Sequence, residues 1–520
     1  MERIADVSGK AVHPVPPHPG GAVSPAPPSA EHRGAAPLMN KPLRRISVCC
    51  LVLVLALMGW VTWIQGARAS AYEEDPHNPR VAIGRYAAPL GNILVDGKPV
   101  TGSTATSSDL KYKRTYKNGP LYAPVTGFAS QIYGSNQLES LYGDILDGSD
   151  SRLRNPVDTL TRQRAKGGDV ATTIDSAVQE AGYRALGGKT GAAVALDPAT
   201  GRILGMVSTP SYDPGTFAGS GGADQRAWQA LAADKNKPDL NRALRQPLPP
   251  GSTFKLVVAA AALENGLYSS VDEPTDSPDP YVLPHTRTTL TNENASAPCE
   301  NADIRTALQY SCNTVFAKMA VDLGKDKVAA QAEKFGFNDG KVDTPVRAAK
   351  SVYPTDMDAA QTALSGIGQF NDQATPLQMA MVTSAIANGG ELMSPQLVDK
   401  VTDGGGKTIE QTAPRTYGKA MSARTAEQLR SAMETVVDKG TGSNAKIGGL
   451  TVGGKTGTAQ HGVDNSGTPY AWFVSYAQDA KGRQVAVAVM VEDSNASRNE
   501  ISGNGLAAPI ARAMMKAALA

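Results

Sequence analysis

The sequence predicts an α+β protein in which a mostly antiparallel sheet is covered by helices. Two pairs of β-rich runs, residues 191–197 with 202–208 and residues 470–477 with 484–491, are each joined by a short turn. Between the pairs lie long Ala-rich helical segments that end in Gly, a residue favoured just after a helix. Because strands adjacent in the chain pair while the helices are grouped between them, the pattern indicates α+β rather than alternating α/β.

The composition excludes several classes of protein. The charges nearly cancel, with 51 Lys and Arg against 49 Asp and Glu, so overall electrostatics do not favour a nucleic-acid partner. Four cysteines in 520 residues exclude a disulfide-scaffold protein and the paired cysteines of a zinc module. At ~150 residues per domain, the length corresponds to about three units.

An apolar run near the N-terminus predicts a single membrane anchor. Residues 46–65 carry no charge, and a helix needs about 20 residues to cross the hydrocarbon. Lys41, Arg44 and Arg45 precede the run and acidic residues follow it at 73–75, so the N-terminal side is expected in the cytoplasm. A cleaved signal peptide is the alternative, but the run is longer than the roughly 7–15 residues of a signal core. We therefore expect a plasma-membrane protein with its larger part outside the cell.

Two segments beside the anchor carry no chemical constellation. Residues 1–45 hold nine prolines and no aromatic residue, which is typical of a disordered segment, here a cytoplasmic tail. Residues 70–166 are polar and rich in turns, with a hairpin turn predicted at Asp96-Gly97. We interpret them as a β-rich, non-catalytic module for dimerisation or docking. The composition then changes, and residues 167–520 form the predicted main domain.

The first candidate for chemistry is Ser252, which follows Pro-Pro-Gly and begins an apolar helix. A serine there could simply cap the helix, but a capping box would have Glu or Gln three residues later, and the chain has Lys255. A cation also opposes the helix dipole in the first turn. A partly buried lysine there has a lowered pKa, as a general base needs, and shares one helix face with the serine. The S-x-x-K matches at 108–111 and 443–446 do not begin apolar helices.

Ser311 and Asn313 form the second candidate pair. They lie in residues 304–319, whose apolar stripe indicates an amphipathic helix. In a continuous helix, residues two apart point in different directions. If the backbone breaks at this point, both side chains lie on one side and can relay a proton beside the lysine amine. The pattern alone is weak, because residues 497–499 and 502–504 also match it.

The third segment can be interpreted in two ways. It satisfies the Walker A pattern of an ATPase through Gly449, Gly454, Lys455 and Thr456. That interpretation requires a helix directly after the lysine, but residues 457–470 are full of helix breakers. We favour an edge strand, in which Thr456 and Thr458 project to one face and Gly457 admits a neighbouring backbone. Such an edge can bind an extended peptide and offer an N–H group to an oxyanion.

The three motifs together resemble a known set. Ser252–Lys255, Ser311–Asn313 and Lys455–Gly457 resemble the S-x-x-K, S-x-N and K-[TS]-G motifs of penicillin-binding proteins and serine β-lactamases. The likeness extends over residues 169–516. With the anchor and the preceding module, the chain resembles the class B, monofunctional penicillin-binding proteins, and within them the PbpA-like branch. The resemblance implies their transpeptidase fold, an antiparallel sheet with flanking helices.

The resemblance also implies roles for the motif residues. The activity would be acyl transfer on the D-Ala-D-Ala stem peptides of peptidoglycan, without metal or cofactor. Ser252 would be the nucleophile and Lys255 its base, with β-lactams acylating the same serine. Proton transfer and contacts to the substrate amide would involve Ser311 and Asn313. The terminal carboxylate would be bound by Lys455, Thr456 and Thr458, and the oxyanion by the backbone N–H groups of Ser252 and Thr458. A membrane glycan polymerase of the SEDS type would be a partner.

Several alternatives remain beside this interpretation. A serine β-lactamase would share the motifs, but the anchor, the additional module and the wide gap between Asn313 and Lys455 argue against it. A β-lactam sensor would need a signalling domain, for which the Pro-rich tail is poor material. A structural activator of a polymerase would not need intact motifs. Cys299 and Cys312, the only cysteines predicted outside, either form a disulfide or leave Cys312 as a buried thiol.

Overall fold

The computed structural model describes residues 40–68, 79–153, 165–462, 465–494 and 496–520. Of the predicted disordered tail, residues 1–45, the part up to residue 39 lies outside these ranges. Residues 40–45 are helical, so the prediction is wrong for them. The first described element is a 28-residue helix, Asn40–Ala67, which contains the whole predicted anchor. By its length and apolar composition this helix is able to cross a membrane. The rest of the described chain, from residue 79 on, belongs to a second compact unit.

The N-terminal part of the second unit consists of short elements. Its helices are Pro79–Arg85, Gly119–Thr126, Gln137–Leu141 and Gly143–Asp147. Its strands are β1 Ile93–Val95, β2 Lys98–Pro99, β3 Thr101–Ala105, β4 Tyr112–Tyr116, β5 Ala129–Ser130 and β6 Gly134–Ser135. The predicted hairpin is present, because β1 pairs with β2. Asp96 and Gly97 both have positive φ there (49° and 69°), as a two-residue turn of this type requires.

The larger part of the unit contains twelve further strands among the described residues. They are β7 Asp169–Thr172, β8 Thr190–Leu196, β9 Ile203–Thr209, β10 Tyr281–Val282, β11 Thr289–Leu290, β12 Glu391–Met393, β13 Val398–Thr402, β14 Thr408–Gln411, β15 Thr416–Lys419, β16 Thr451–Ala459, β17 Tyr470–Gln478 and β18 Gln484–Asp493. The main sheet has the antiparallel order β16-β17-β18-β8-β9, with β16 at one edge. The two predicted hairpins therefore join side by side through β18 and β8.

Helices cover both faces of this sheet. Alternate residues of β17 enter two different cores, with Trp472 and Val474 on one side and Phe473 and Ala477 on the other. Both faces are buried, which explains why these strands are continuous apolar runs without polar alternation. The longer helices are Ser176–Leu186, Gly222–Ala233, Lys255–Glu264, Ile304–Tyr310, Asn313–Leu323, Lys325–Lys334, Ala359–Ser365, Pro376–Ala387, Ala423–Lys439 and Ala508–Ala518.

A second sheet joins the N-terminal part to the main domain. Its order is β14-β13-β7-β1-β2, and β1 pairs with β7 in parallel register, Ile93 opposite Val170. Strand β7 pairs on its other side with β13, which follows more than 200 residues later in the chain. The predicted boundary at residue 167 therefore falls between two strands that are hydrogen-bonded neighbours.

A buried ion pair lies inside the N-terminal part. Arg114 on β4 and Glu139 are both fully buried, and Arg114 Nε lies 2.6 Å from Glu139 Oε1. Arg114 Nη1 donates to the carbonyl of Gly91 at 2.6 Å, and the Tyr116 hydroxyl donates to Glu139 Oε1 at 3.2 Å. The pair therefore connects β4, a helix and the segment before β1.

Replacing Arg114 with Met would leave the Glu139 carboxylate buried without its cation. We expect the free energy of unfolding to fall by about 3–5 kcal/mol, and the double variant Arg114→Met/Glu139→Leu to recover most of that loss because no buried charge remains. Urea denaturation of the full-length protein in detergent, followed by tryptophan fluorescence, measures both. Arg184→Met, which breaks an exposed pair with Glu180, is the control and should change stability by less than about 1 kcal/mol. A double variant as unstable as the single one would contradict this account.

Candidate active site

Ser252 lies on a short 3₁₀ turn, Gly251–Phe254, that leads into the helix Lys255–Glu264. The sequence predicted a helix from Ser252 on; in the structure the α-helical part begins three residues later. Gly251 adopts φ +54°, in the left-handed region that favours glycine. Ser252 is 7% exposed and Lys255 is fully buried. We call residues 251–254 the Ser252 turn.

The Ser252 turn is packed between two other backbone segments. The Gly251 N–H group donates to the carbonyl of Gly368 at 3.0 Å, and a Cβ atom on Gly368 would lie only 2.0 Å from the Gly251 oxygen. On the other side, a Cβ on Gly251 would lie 3.0 Å from the Thr458 oxygen. A Cβ on Gly457 would lie 2.9 Å from Thr253 Cγ2. Gly368 has no space for a side chain, and the positive φ of Gly251 and Gly368 also favours glycine. At Gly457 a side chain would press on the methyl group of Thr253.

The backbone does break at Ser311, which is the condition under which Ser311 and Asn313 lie on one side. The helix Ile304–Tyr310 ends there, Ser311 adopts φ 58° and ψ 43°, and a new helix begins at Asn313. Cys312 points into the core and is fully buried. It is disulfide-bonded to Cys299, with the two Cα atoms 5.7 Å apart.

The lysine amines of the first and third motifs converge on the serine hydroxyl of the second motif. Lys255 Nζ donates to Asn313 Oδ1 at 2.8 Å, to the Ser311 carbonyl at 2.8 Å and to Ser311 Oγ at 3.3 Å. Lys455 Nζ donates to the same Ser311 Oγ at 2.8 Å and to the carbonyl of Thr456 at 2.9 Å. The Ser311 hydroxyl therefore bridges two lysine amines that lie about 200 residues apart in the chain.

Burial changes the protonation of both amines. It lowers the pKa of Lys255 well below the usual lysine value, and repulsion by Lys455 lowers it further. Burial also lowers the pKa of Lys455 to about 7, against an opposing attraction by the Glu293 carboxylate. Two neighbouring buried ammonium groups disfavour each other, so one amine loses its proton readily and can act as a base.

Lys455 to Thr458 lie on β16, the edge strand of the main sheet. Lys455 pairs with Val474 and Gly457 with Trp472 on β17. Strand β16 continues past the lysine to Ala459, where a Walker A loop would begin a helix, so the phosphate-loop interpretation is wrong. Thr456 is 8% exposed and Thr458 is half-buried.

Sequence reasoning missed two residues that hold the motifs in place. Asn292 Oδ1 accepts from the N–H groups of Asn313 at 2.5 Å and Thr314 at 3.1 Å, and so caps the second helix from outside. Thr441 Oγ1 lies 2.9 Å from Thr456 Oγ1, and the Thr441 N–H group donates to the carbonyl of Gln309 at 3.2 Å. Each residue lies in a segment outside the motif that it contacts, and no local sequence pattern marks either one.

This geometry, with a serine one helical turn from a buried lysine, is that of a class of protein: the serine enzymes of the acyl-transfer type. The family profile described as the penicillin-binding protein transpeptidase domain matches residues 191–516. A second, described as the penicillin-binding protein A dimerisation domain, matches residues 90–170. The chain belongs to the penicillin-binding protein transpeptidase family.

Two curated relatives and a solved structure are similar over most of their length. Peptidoglycan D,D-transpeptidase PbpA of Mycolicibacterium smegmatis is 39% identical over 92% of this chain and 99% of its own. The protein of the same description from Mycobacterium tuberculosis is 38% identical, with the same coverage of both chains. The structure of penicillin-binding protein A from M. tuberculosis as a ceftriaxone acyl-enzyme complex has a TM-score of 0.78 and 36% identity, covering 84% of this chain and all of that one. The predicted family and fold class are confirmed.

The lowered lysine pKa values predict how acylation depends on pH. A lysine accepts a proton only as the neutral amine, so acylation by a penicillin should rise with pH and level off well below the usual lysine pKa of ~10.4. Lys455→Gln removes a repelling charge, which raises the pKa of Lys255 and moves this rise to higher pH. Stopped-flow acylation rates at a series of pH values measure the shift.

The exposed Lys446, paired with Asp438 at 2.8 Å, supplies the control for this experiment. Lys446→Gln removes the same charge from the surface and should leave the profile unchanged. If the acylation rate of Lys455→Gln rose at the same pH as that of the wild type, or at a lower pH, this would contradict the repulsion between the two amines.

Proposed function

We propose that this chain is a membrane-anchored peptidoglycan D,D-transpeptidase that forms an acyl-enzyme on Ser252. The observation that carries the proposal is the pair of buried lysine amines joined by the Ser311 hydroxyl. One of them, Lys255, lies one helical turn after Ser252, and Ser252 lies next to the edge strand β16. The curated relatives bear this activity in their names, and the solved relative holds a β-lactam as an acyl-enzyme. The main functional prediction is thereby confirmed, whereas the roles of individual residues are our proposal.

Acylation begins with attack of Ser252 Oγ on the carbonyl carbon of the penultimate D-Ala. The hydroxyl proton passes to the neutral amine of Lys255 as the C–O bond forms. In this proposal the backbone N–H groups of Ser252 and Thr458 stabilise the oxyanion, an interaction typically worth ~3–4 kcal/mol per donor. The C–N bond then breaks, and the departing amine of D-Ala takes a proton from Lys255 through the Ser311 hydroxyl.

The second half of the reaction reverses these proton movements. An amine of a neighbouring stem peptide attacks the ester on Ser252 and loses its proton to the same relay. The new amide is the cross-link, and Ser252 regains its hydroxyl proton. Asn313, whose Oδ1 atom already accepts from Lys255, holds the substrate amide through its Nδ2 group.

The terminal carboxylate of the substrate is recognised at strand β16. The hydroxyl groups of Thr456 and Thr458 project to one face of the strand, and Lys455 lies behind them. Thr441 holds the Thr456 hydroxyl in place through the bond described above. An extended peptide can add to this free edge by backbone hydrogen bonds.

The proposal extends to the orientation of the anchor helix and to a partner in the membrane. The basic residues Lys41, Arg44 and Arg45 begin the anchor helix, which favours a cytoplasmic N-terminus and an external transpeptidase domain. We include a SEDS-type glycan polymerase as a membrane partner, as the family resemblance implies. Cross-linking from the anchor helix to such a polymerase in membranes tests this part of the proposal.

The nucleophile is tested by a fluorescent penicillin on the full-length protein in detergent. We expect a stable covalent adduct on the wild type and none on Ser252→Ala, by denaturing gel and intact mass. Ser443→Ala, which removes the serine of another S-x-x-K match, is the matched control and should be labelled like the wild type. Penicillin that is consumed without a lasting adduct would favour a β-lactamase, and penicillin neither bound nor consumed would favour the structural activator.

The carboxylate site is tested at Thr441. Thr441→Val keeps the shape of the side chain but removes its bond to Thr456, so KM for a D-Ala-D-Ala peptide should rise by up to about tenfold, the value of one hydrogen bond. The rate kcat should change little, and Thr441→Ser should behave as the wild type. The methyl ester of the same peptide lacks the negative charge, so its KM should be the same for the wild type and both variants. An equal loss with the acid and the ester would contradict the role.

A further inference from the structure

A buried polar cluster that the chemistry does not use lies behind the Ser252 turn. It consists of Tyr353, Ser365 and Asp372, each at most 1% exposed. The Ser365 hydroxyl is hydrogen-bonded to Asp372 Oδ1. Among the described residues, Asp372 Oδ2 has no hydrogen-bond partner. A carboxyl group in such a place calls for an explanation, because an apolar side chain would avoid the free-energy cost of burying it.

Burial disfavours a negative charge on the Asp372 side chain. Burial raises its pKa well above the usual range for a carboxyl group, and the bond to Ser365 opposes this only in part. No ion pair within the described ranges includes Asp372. Burial thus favours the uncharged form of this carboxyl group, and its contact with another side chain is the hydrogen bond to Ser365.

This hydrogen bond joins the two ends of a turn. Residues 365–372, which we call the supporting turn, follow the helix Ala359–Ser365. The Gly368 N–H group donates to the Ser365 carbonyl at 2.9 Å, and Gly368 has φ +70°. Phe370 also has positive φ, 65°, which is strained for a bulky residue and needs support from its surroundings. The link between Ser365 and Asp372 supplies such support.

The supporting turn is in direct backbone contact with the Ser252 turn. The Gly368 carbonyl accepts from the Gly251 N–H group, with no space for a Cβ atom between them. Just before the Ser252 turn, Leu248 exchanges two backbone hydrogen bonds with Ala374, at 2.8 and 3.0 Å. Any shift of the supporting turn therefore moves the residue that precedes Ser252.

The cluster also contacts the far end of the Ser252 turn. The ring of Phe254 stacks on that of Tyr353, with centroids 5.6 Å apart and planes 11° from parallel. Tyr353 is itself attached to the supporting segment, because its neighbour Val352 exchanges two backbone hydrogen bonds with Gln373. Both ends of the Ser252 turn are thus held by the segment that carries Asp372.

We propose that Asp372 is a positioning residue for Ser252: its hydrogen bond to Ser365 closes the supporting turn, and this turn fixes the backbone of the Ser252 turn. The inference rests on the proposed role of Ser252 as the nucleophile. Asp372 does not contact the reacting atoms, so its loss affects the rate of attack and not the binding of the acyl donor.

The test separates these two quantities in the full-length protein. Stopped-flow acylation by a fluorescent penicillin gives the dissociation constant Kd of the non-covalent complex and the rate constant of acylation. For Asp372→Ala we expect the rate constant to fall at least about tenfold, because small misplacements of a reacting group can cost ~100-fold. Kd should stay within about threefold of the wild type, because binding energy and positioning are separable contributions.

Two further variants distinguish positioning from loss of structure. Asp372→Asn keeps the size of the side chain and an oxygen that accepts from Ser365, so it should acylate at close to the wild-type rate. Ser365→Ala should slow acylation as Asp372→Ala does, and the double variant should be no slower, because both changes remove one interaction. If Asp372→Ala fails to fold, Ser365→Ala and Asp372→Asn still decide the question.

Ile510→Ala is the control for general destabilisation. Ile510 is buried in the core on the opposite face of the main sheet, so it should lower the melting temperature without changing the rate constant. A wild-type rate in Ser365→Ala, a loss in Asp372→Asn as large as in the alanine variant, or slow acylation in Ile510→Ala would each overturn the inference. None of these outcomes affects the proposed function, which Ser252→Ala tests separately.

Discussion

Two lysine amines buried against one serine hydroxyl form the interaction on which the rest of this structure depends. A buried ammonium group is unfavourable, and a second one beside it more so. The arrangement therefore requires acceptors for every amine, which the Ser311 carbonyl, Asn313 Oδ1 and the Thr456 carbonyl provide. In this structure the acceptors lie at the break between two helices at Ser311 and on the edge strand β16. The break and the edge strand together provide what the buried amines need.

Close backbone packing brings these pieces together from distant parts of the chain. The Ser252 turn lies between the supporting turn on one side and β16 on the other, and glycines at 251, 368 and 457 make the approach possible. Packing of this kind leaves little freedom for the Ser252 turn or for β16 to move. A site that must orient two reacting groups gains rate from such rigidity, because the entropy of alignment is lost on folding and not during the reaction.

Sequence reasoning succeeded where a short pattern carries the information and failed where two distant loops meet. The hairpins, the S-x-x-K helix and the break at Ser311 depend on neighbouring residues, and the structure has all of them. Asn292 and Thr441 act through contacts 15 or more residues away, and Asp372 acts through a turn that packs on a distant segment. A single Asn, Thr or Asp in a loop carries no signal. The pairing of β1 with β7 was missed for a similar reason, because nothing in two short strands specifies that they are neighbours.

The disulfide explains why the middle residue of the S-x-N motif can be a cysteine. Ser311 and Asn313 face the amines, so Cys312 between them points into the core, where Cys299 meets it. Both ends of the segment 292–299 are thereby attached to the start of the helix at Asn313. One end is held by the bonds from Asn313 and Thr314 to Asn292, and the other by the disulfide. Closing a loop of this size stabilises by about 3 kcal/mol in the chain-entropy model. The disulfide joins the chain directly after the break at Ser311. It therefore stabilises the non-helical backbone that places Ser311 and Asn313 beside the buried amines.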